Sequence, residues 1–195
     1  MLNTSMLRLP ASCVLAILAL PATGAEQLAV DLDAAKTNVA FVLSDVLHTV
    51  RGTFRLKQGH FVFDESTGLI SGEVIVDAAS GNSGNSARDK RMTRDILEAQ
   101  RYPEIRVTPV KIAGLVSTAT TPSTVQVTGS FWIHGQAHDI TIPTRVQMSQ
   151  HDITASGKFI VPYVEWGMKN PSNFLLKVNK QVEIDLTAVG HLERP

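Results

Sequence analysis

The sequence is poor in three features that often reveal how a chain is held together or where it acts: cysteine, net charge and long apolar runs. One cysteine, Cys13, cannot form an internal disulfide. Eighteen basic and 18 acidic residues give a formal net charge of 0, which argues against nucleic acid or an anionic membrane surface as the main partner. The longest apolar run, Cys13 to Leu20, falls well short of the ~20 residues that a membrane-spanning helix needs.

The first 25 residues have the pattern of a secretory signal peptide. Arg8 precedes the short apolar run, and Thr23-Gly24-Ala25 is a small-residue site at which we expect cleavage. A membrane anchor or a lipidated Cys13 are the alternatives, and the short run argues against the first. Cleavage would leave residues 26–195 as a single domain with 17 basic and 18 acidic residues, a net charge of −1. We expect this domain in the periplasm or secreted.

In most of the remaining chain, apolar and polar residues alternate as they do in β-strands. The clearest case is VQVTGSFWIHG, where Val125, Val127, Gly129, Phe131 and Ile133 share one face. Similar short strand signals occur at residues 38–43, 54–56, 61–63, 74–76, 105–107, 140–142, 146–148, 158–161 and 182–186. Eight or more strands joined by short turns predict an antiparallel sheet that closes into a barrel or splits into a sandwich. An eight-stranded barrel can be filled by side chains or hold one small ligand.

One segment has helical spacing instead. Ser86 as N-cap with Asp89 three residues later, and Pro103 beyond the end, predict a helix from Ala87 to Gln100. Two Ser-Gly-Asn triplets before it, at residues 80–82 and 83–85, are expected to reverse the chain sharply.

The predicted helix has an apolar stripe of Met92, Ile96 and Ala99. Arg88 lies four residues before Met92, so we expect its guanidinium to point inward. There it would bond a polar ligand head or a strand carbonyl, or it would pair with Asp89.

Residues that could carry catalysis are sparse. His134 and His138, with His48 elsewhere, suggest a metal site, but zinc needs three or four ligands within reach. The interpretation that these are strand-end or turn histidines is favoured. No G-x-S-x-G elbow occurs, and the serines before the helix have no obvious paired base. We therefore predict neither catalytic residues nor a metal.

A string of motifs along the chain resembles a known family. It comprises Phe41, the run His48 to Phe54, Val74 to Asp77, Ser80-Gly81-Asn82, Arg88-Asp89 with Met92 and Leu97, Tyr102 to Ile105, Gly129 to Gly135, and Val182 to Leu186. This string resembles the YceI-like family of exported lipid-binding proteins. The resemblance implies an all-β, lipocalin-like, eight-stranded antiparallel barrel with one short helix near a mouth. The segment Val161 to Ser172 looks like a variant found in one branch of the family.

The resemblance also implies a function. A long isoprenoid chain, polyprenyl or quinone-like, would lie in the lumen as ligand, with no other cofactor, no nucleic acid and no enzymatic activity. Transient contact with membrane or envelope proteins, and a homodimer, are left open. A ligand-free structural or envelope-stress protein with a packed core is the first alternative, and a His-dependent metalloenzyme is the second. The candidate lipid-binding residues are Val39, Phe41, Phe54, Val74, Met92, Ile96, Val125, Val127, Phe131, Phe159 and Ile184, with Arg88 at the polar head.

Overall fold

The computed structural model describes residues 27–44, 48–114, 121–172 and 177–193. The expected signal peptide and its cleavage site after Ala25 lie outside these residues. The elements in chain order are β1 (Gln27–Leu32), β2 (Asn38–Ser44), β3 (Thr49–Asp64), β4 (Ile70–Asn82), α1 (Ser86–Arg91), a π-helical turn (Met92–Ile96), β5 (Glu104–Ala113), β6 (Ser123–Ile133), β7 (Gln136–Met148), β8 (Asp152–Val161) and β9 (Val182–Glu193).

The strands close into an eight-stranded antiparallel barrel, which confirms the predicted fold. Strands β2 to β9 pair in sequence order, and the β2–β9 pairing closes the ring, with Phe41 opposite Ile184. β1 is a ninth segment that continues the position of β2, because it also pairs with β3 and β9. Val30 of β1 lies opposite both Phe61 and Leu192. Two consecutive short strands therefore make up one side of the barrel.

Alternation decides which side chains enter the barrel. On β7 the inward positions from Ile142 to Met148 are buried and the residues between them are exposed. Gly129 on β6 allows the backbone of β5 to lie close to it. A Cβ atom at this position would meet the Thr108 carbonyl oxygen and lie 2.7 Å from the Cα atom of Pro109. The β6–β7 hairpin turns on His134 and Gly135, both with positive φ (51° and 80°).

The strand boundaries differ from the sequence predictions in four places. The signals on either side of Gly59 form one 16-residue strand, β3, and the two signals after Gly135 form β7. β1 was not predicted. The first Ser-Gly-Asn triplet extends β4 to Asn82 rather than turning. The chain reverses only in the second triplet, where Gly84 has φ +80°.

The helix is shorter than predicted and is capped by a different residue. Asn85, not Ser86, is the N-cap, and its side chain accepts from the Arg88 backbone N–H at 3.0 Å. The helix ends at Ile96 rather than at Gln100, because its last turn widens into a π turn and Glu98 then takes a positive φ of 47°. Thus the left-handed residue, and not Pro103, stops the helix.

The buried side chains form two clusters at different heights in the barrel. The smaller one, which we call the plug, lies at the end of the barrel away from the helix and consists of Leu28, Val30, Phe63, Val125, Val146, Met148 and Leu192. The larger cluster lies toward the helix and includes Val39, Leu56, Phe131, Tyr163 and Met168. In the described part of the chain, no helix has the length and apolar character to cross a membrane.

Candidate ligand-binding cavity

A cavity of about 660 Å³ occupies the barrel between the plug and the helix. Its lining is almost wholly apolar, and side chains from every strand contribute to it. Proteins normally pack their interiors with few voids larger than a water molecule. The cavity is therefore the feature that separates a ligand-holding barrel from a barrel with a packed core.

Ten of the eleven apolar residues proposed from the sequence line this cavity. They are Val39, Phe41, Phe54, Val74, Met92, Ile96, Val127, Phe131, Phe159 and Ile184. That these side chains contact a lipid stays a prediction.

Val125 is the exception among the eleven. It faces inward as its alternation predicts, but it is only 1% exposed and belongs to the plug. Alternation identifies the inward face of a strand, but the height at which the cavity ends depends on packing between distant strands. Val125 and Val127 therefore share a face and differ in surroundings.

Aromatic rings form part of the cavity wall. The Phe131 ring lies 5.7 Å from Phe159 and 5.8 Å from Trp166 between centroids. On the opposite side Phe41 and Phe54 are 5.4 Å apart. Such tilted and edge-on pairs fix the wall in place and leave the lumen lined by ring faces and edges.

The mouth of the cavity is framed by the helix on one side. Met92 and Ile96 line the cavity and pack against the larger cluster. The Cε atom of Met92 lies close above Gly81 of β4, at a distance that leaves no room for a Cβ atom on that glycine. The helix is thus seated on the end of β4, as its predicted position near a mouth requires.

The β8–β9 connection frames the other side of the mouth. Tyr163 and Met168 are buried and line the cavity. Burial raises the pKa of Tyr163, whose hydroxyl donates to the Asn179 carbonyl at 2.7 Å. Arg91 on the helix donates to the Pro171 carbonyl at 3.3 Å, which joins the two sides. Residues 45–47 and 173–176 lie outside the described part.

Sequence reasoning missed several of these cavity residues. Tyr163 and Met168 sit in a connection with no alternation, so no periodic signal marks them as inward. Leu28 and Val30 of β1 also line the cavity, and there the alternation in LAVDL was a usable signal.

Arg88 lies at the mouth and lines the cavity from the exposed side of α1. Its Nε donates to Ser83 Oγ at 2.7 Å and one Nη donates to the Ser83 carbonyl at 2.9 Å. The Ser83 hydroxyl and backbone N–H both donate to the Asp89 carboxylate. Arg88 and Asp89 are therefore linked through Ser83 rather than by the direct ion pair considered from the sequence.

The two histidines that the sequence suggested as metal ligands, His134 and His138, have different surroundings. His134 occupies the β6–β7 turn, with its Nε2 3.6 Å from Glu98 and its ring 4.9 Å from that of Tyr102. His138 points inward and stacks on Trp166 at 3.9 Å and 4°. Burial lowers the pKa of His138, and its Nε2 is buried without a hydrogen-bond partner. Among the described residues, no three His, Cys, Asp or Glu side chains come together as metal ligands.

The architecture defines a class: a closed, lipocalin-like antiparallel barrel with an apolar lumen and one helix at its mouth. A family model for the YceI-like domain matches residues 31–189. The chain belongs to the YceI-like family.

Two solved structures are similar to the chain in fold. Burkholderia cenocepacia BcnA is 22% identical, with a TM-score of 0.67, over 82% of this chain and 99% of that one. A polyisoprenoid binding domain from Saccharophagus degradans, implicated in plant cell wall breakdown, is 23% identical, with a TM-score of 0.66, over 86% and 99%. No curated protein sequence matches the chain.

Proposed function

We propose that the protein binds one long isoprenoid chain in its lumen and sequesters or carries it, after export to the periplasm or the exterior. The observation that carries the proposal is the apolar cavity of about 660 Å³, which extends from the plug to the helix. The polyisoprenoid-binding description of one structural relative supports the same ligand class. The proposed action is binding alone, without catalysis and without a metal or other cofactor.

The cavity volume limits the length of chain that fits. A methylene group takes up about as much space as a liquid water molecule, roughly 30 Å³. A cavity of about 660 Å³ thus admits on the order of 20 carbons, about four isoprene units. A longer prenyl tail would extend through the mouth or require the helix and the β8–β9 connection to move apart.

The energetics allow reversible binding. At the ~0.3 kcal/mol per heavy atom typical of large ligands, 20 carbons contribute about −6 kcal/mol, which is a Kd of tens of micromolar. The transfer value of ~0.8 kcal/mol per CH₂ would give a much larger gross gain before the costs of ordering are subtracted. A carrier that must release its ligand needs a binding free energy between these two values, the value of about −6 kcal/mol and the gross transfer gain.

Native mass spectrometry of protein purified from its own host, followed by organic extraction, tests this proposal. The expected result is an added mass that extraction removes and that fragments as an isoprenoid. Protein that carries only its own mass from a host rich in isoprenoids, and that cannot be loaded afterwards, would overturn the carrier function.

A further inference from the structure

The pairing between β7 and β8 covers only part of the two strands. It joins residues 144–148 of β7 to residues 153–157 of β8. Nearer the helix both strands continue, but there β7 pairs with β6 and β8 pairs with β9. In the described part of the chain, residues 136–143 of β7 and 158–161 of β8 are therefore paired on one side only. We call the line between these two segments the seam.

The local sequence explains where the pairing stops. Pro143 is the first β7 residue beyond it, and proline, which has no N–H donor, is normally confined to unpaired strand edges. On β8 the last paired residue is Gly157, where a Cβ atom would lie 2.9 Å from the Cγ2 atom of Ile142. The strands are thus close at Gly157 because glycine has no side chain, and the larger Lys158 and Phe159 follow it.

Aromatic rings bridge the seam. The ring of His138 on β7 stacks on Trp166, which follows β8, at 3.9 Å and 4°. Trp166 in turn lies 5.8 Å from Phe131, and Phe131 lies 5.7 Å from Phe159. Phe131 and Phe159 line the cavity, whereas His138 and Trp166 do not. The stacked pair, which we call the latch, therefore lies just outside two rings of the cavity wall.

The turn that carries Trp166, residues 162–168, is fixed to the β9 side of the seam. It is held by backbone hydrogen bonds within itself. The Tyr163 hydroxyl also joins it to the segment before β9 by donating to the Asn179 carbonyl at 2.7 Å. In the part of the chain that the structure describes, no hydrogen bond of this turn reaches β7, and the buried Nε2 atom of His138 has no partner. The latch is therefore a contact between rings.

Such a contact can open without breaking the structure on either side. The turn keeps its hydrogen bonds to itself and to Asn179, and β7 keeps its pairing with β6. A buried polar atom without a partner is unfavourable, and an open latch would return Nε2 of His138 to water. The seam is thus the part of the barrel wall that can separate while the rest stays paired.

We propose that the seam is a lateral gate, closed by the latch, through which the isoprenoid chain enters and leaves the lumen sideways. The proposal rests on the proposed function for the identity of the ligand and adds its route. A slit along the wall lets a long flexible chain pass without being threaded end first. Ile160, 50% exposed on β8 beside the seam, gives the outer side of this slit an apolar surface.

Exchange kinetics of geranylgeraniol, a 20-carbon prenyl alcohol, test the latch in the delipidated full chain. Trp166→Ala removes one ring of the latch but no residue of the cavity lining. Loading and release should both become at least tenfold faster, while Kd stays within threefold. Trp166→Phe keeps a ring and should lie nearer to wild type. Trp132→Ala is the matched control, because the chain's other tryptophan is 42% exposed on β6, and it should exchange at the wild-type rate.

A crosslink across the seam tests the gate independently of the latch. Thr141→Cys with Ile160→Cys places two thiols at exposed positions on opposite sides of the seam, and Cys13→Ser ensures that only this pair reacts. A short bis-maleimide should slow loading and release at least tenfold. Arg145→Cys with Ser156→Cys is the matched control. These residues already lie opposite each other in the paired part of the strands, so the same crosslink there should change neither rate.

The outcomes separate the gate from the proposed function. Unchanged exchange after crosslinking across the seam would overturn the lateral gate and leave isoprenoid binding intact. A Trp166→Ala variant whose Kd rises with its release rate, at unchanged loading, would make Trp166 a ligand contact and overturn the latch. If circular dichroism shows that Trp166→Ala does not fold, the crosslink decides the question. Failure of the wild-type protein to bind geranylgeraniol would overturn both the proposed function and the gate.

Discussion

Exchange of Val127 for tryptophan tests whether the lumen is a space that a ligand uses. Val127 lines the cavity just above the plug, and Val125, two residues earlier on the same face of β6, is 1% exposed within the plug. The exchange adds about seven side-chain atoms, on the order of 100 Å³ at the packing density of protein interiors. At Val127 the cavity can accept that volume, whereas at Val125 it has nowhere to go.

We expect Val125→Trp to change the stability of the protein and Val127→Trp to change its affinity for the ligand. Val125→Trp should lower the free energy of unfolding of the lipid-free protein by ~1–3 kcal/mol, the usual cost of overpacking. Val127→Trp should leave that free energy near wild type and remove room for about three carbons. At ~0.8 kcal/mol per CH₂ the loss is about 2–3 kcal/mol of binding, roughly a 30- to 150-fold higher Kd.

Denaturant unfolding of both lipid-free variants, and titration with geranylgeraniol, provide the two measurements. The indole N–H is introduced in both variants, so its desolvation largely cancels in the comparison. If Val127→Trp destabilises the lipid-free protein as much as Val125→Trp does, the lumen near Val127 is a packed core and the reasoning from cavity to ligand is refuted.

Three further predictions concern the mouth, the histidine stack and the leader. Met92→Asp with Ile96→Asp puts charge on the helix face that lines the cavity. Stopped-flow lipid release should therefore be faster than in wild type, with the barrel still folded by circular dichroism. Unchanged release would show that the helix is not a lid. Burial lowers the pKa of His138 below its ordinary 6.5, so the unfolded chain binds the proton first. The stability present above pH 6.5 is therefore lost as the pH falls from that value to the lower pKa of the folded protein. His138→Phe keeps a ring against Trp166 and should lose less stability between pH 7 and pH 5 than wild type, and parallel pH profiles would contradict this. The intact mass of the exported protein should equal that of a chain beginning at Glu26, and retention of Met1 would rule out the cleaved leader.

The sequence allowed the barrel and the inward faces to be predicted because two-residue periodicity is a local property. The alternation from Val125 to Ile133 is visible in the printed residues and holds in β6. The ends of the helix were harder to predict, because the cap at Asn85 follows a glycine with positive φ and the π turn packs against β4, and neither feature leaves a periodic pattern in the sequence.

The depth of the cavity and the residues at its mouth could not be predicted from local sequence patterns. Whether an inward valine is fully enclosed, as Val125 is, or faces the cavity, as Val127 does, depends on β1, β7 and β9, which are far apart in the chain. The pairing of Arg91 with the Pro171 carbonyl also spans 80 residues. Arg88 was recognised because it shares a helical stripe with Met92, but its partner Ser83 lies outside that periodic pattern.

The most direct test of the lumen as an isoprenoid site is the dependence of affinity on chain length, measured with prenyl alcohols of 10, 15, 20 and 45 carbons. A cavity of about 660 Å³ predicts that Kd falls steadily up to about 20 carbons, as each added group is removed from water, and then levels off because further units remain outside. An affinity that does not change with chain length, or that is too weak to measure for all four alcohols, would contradict the account.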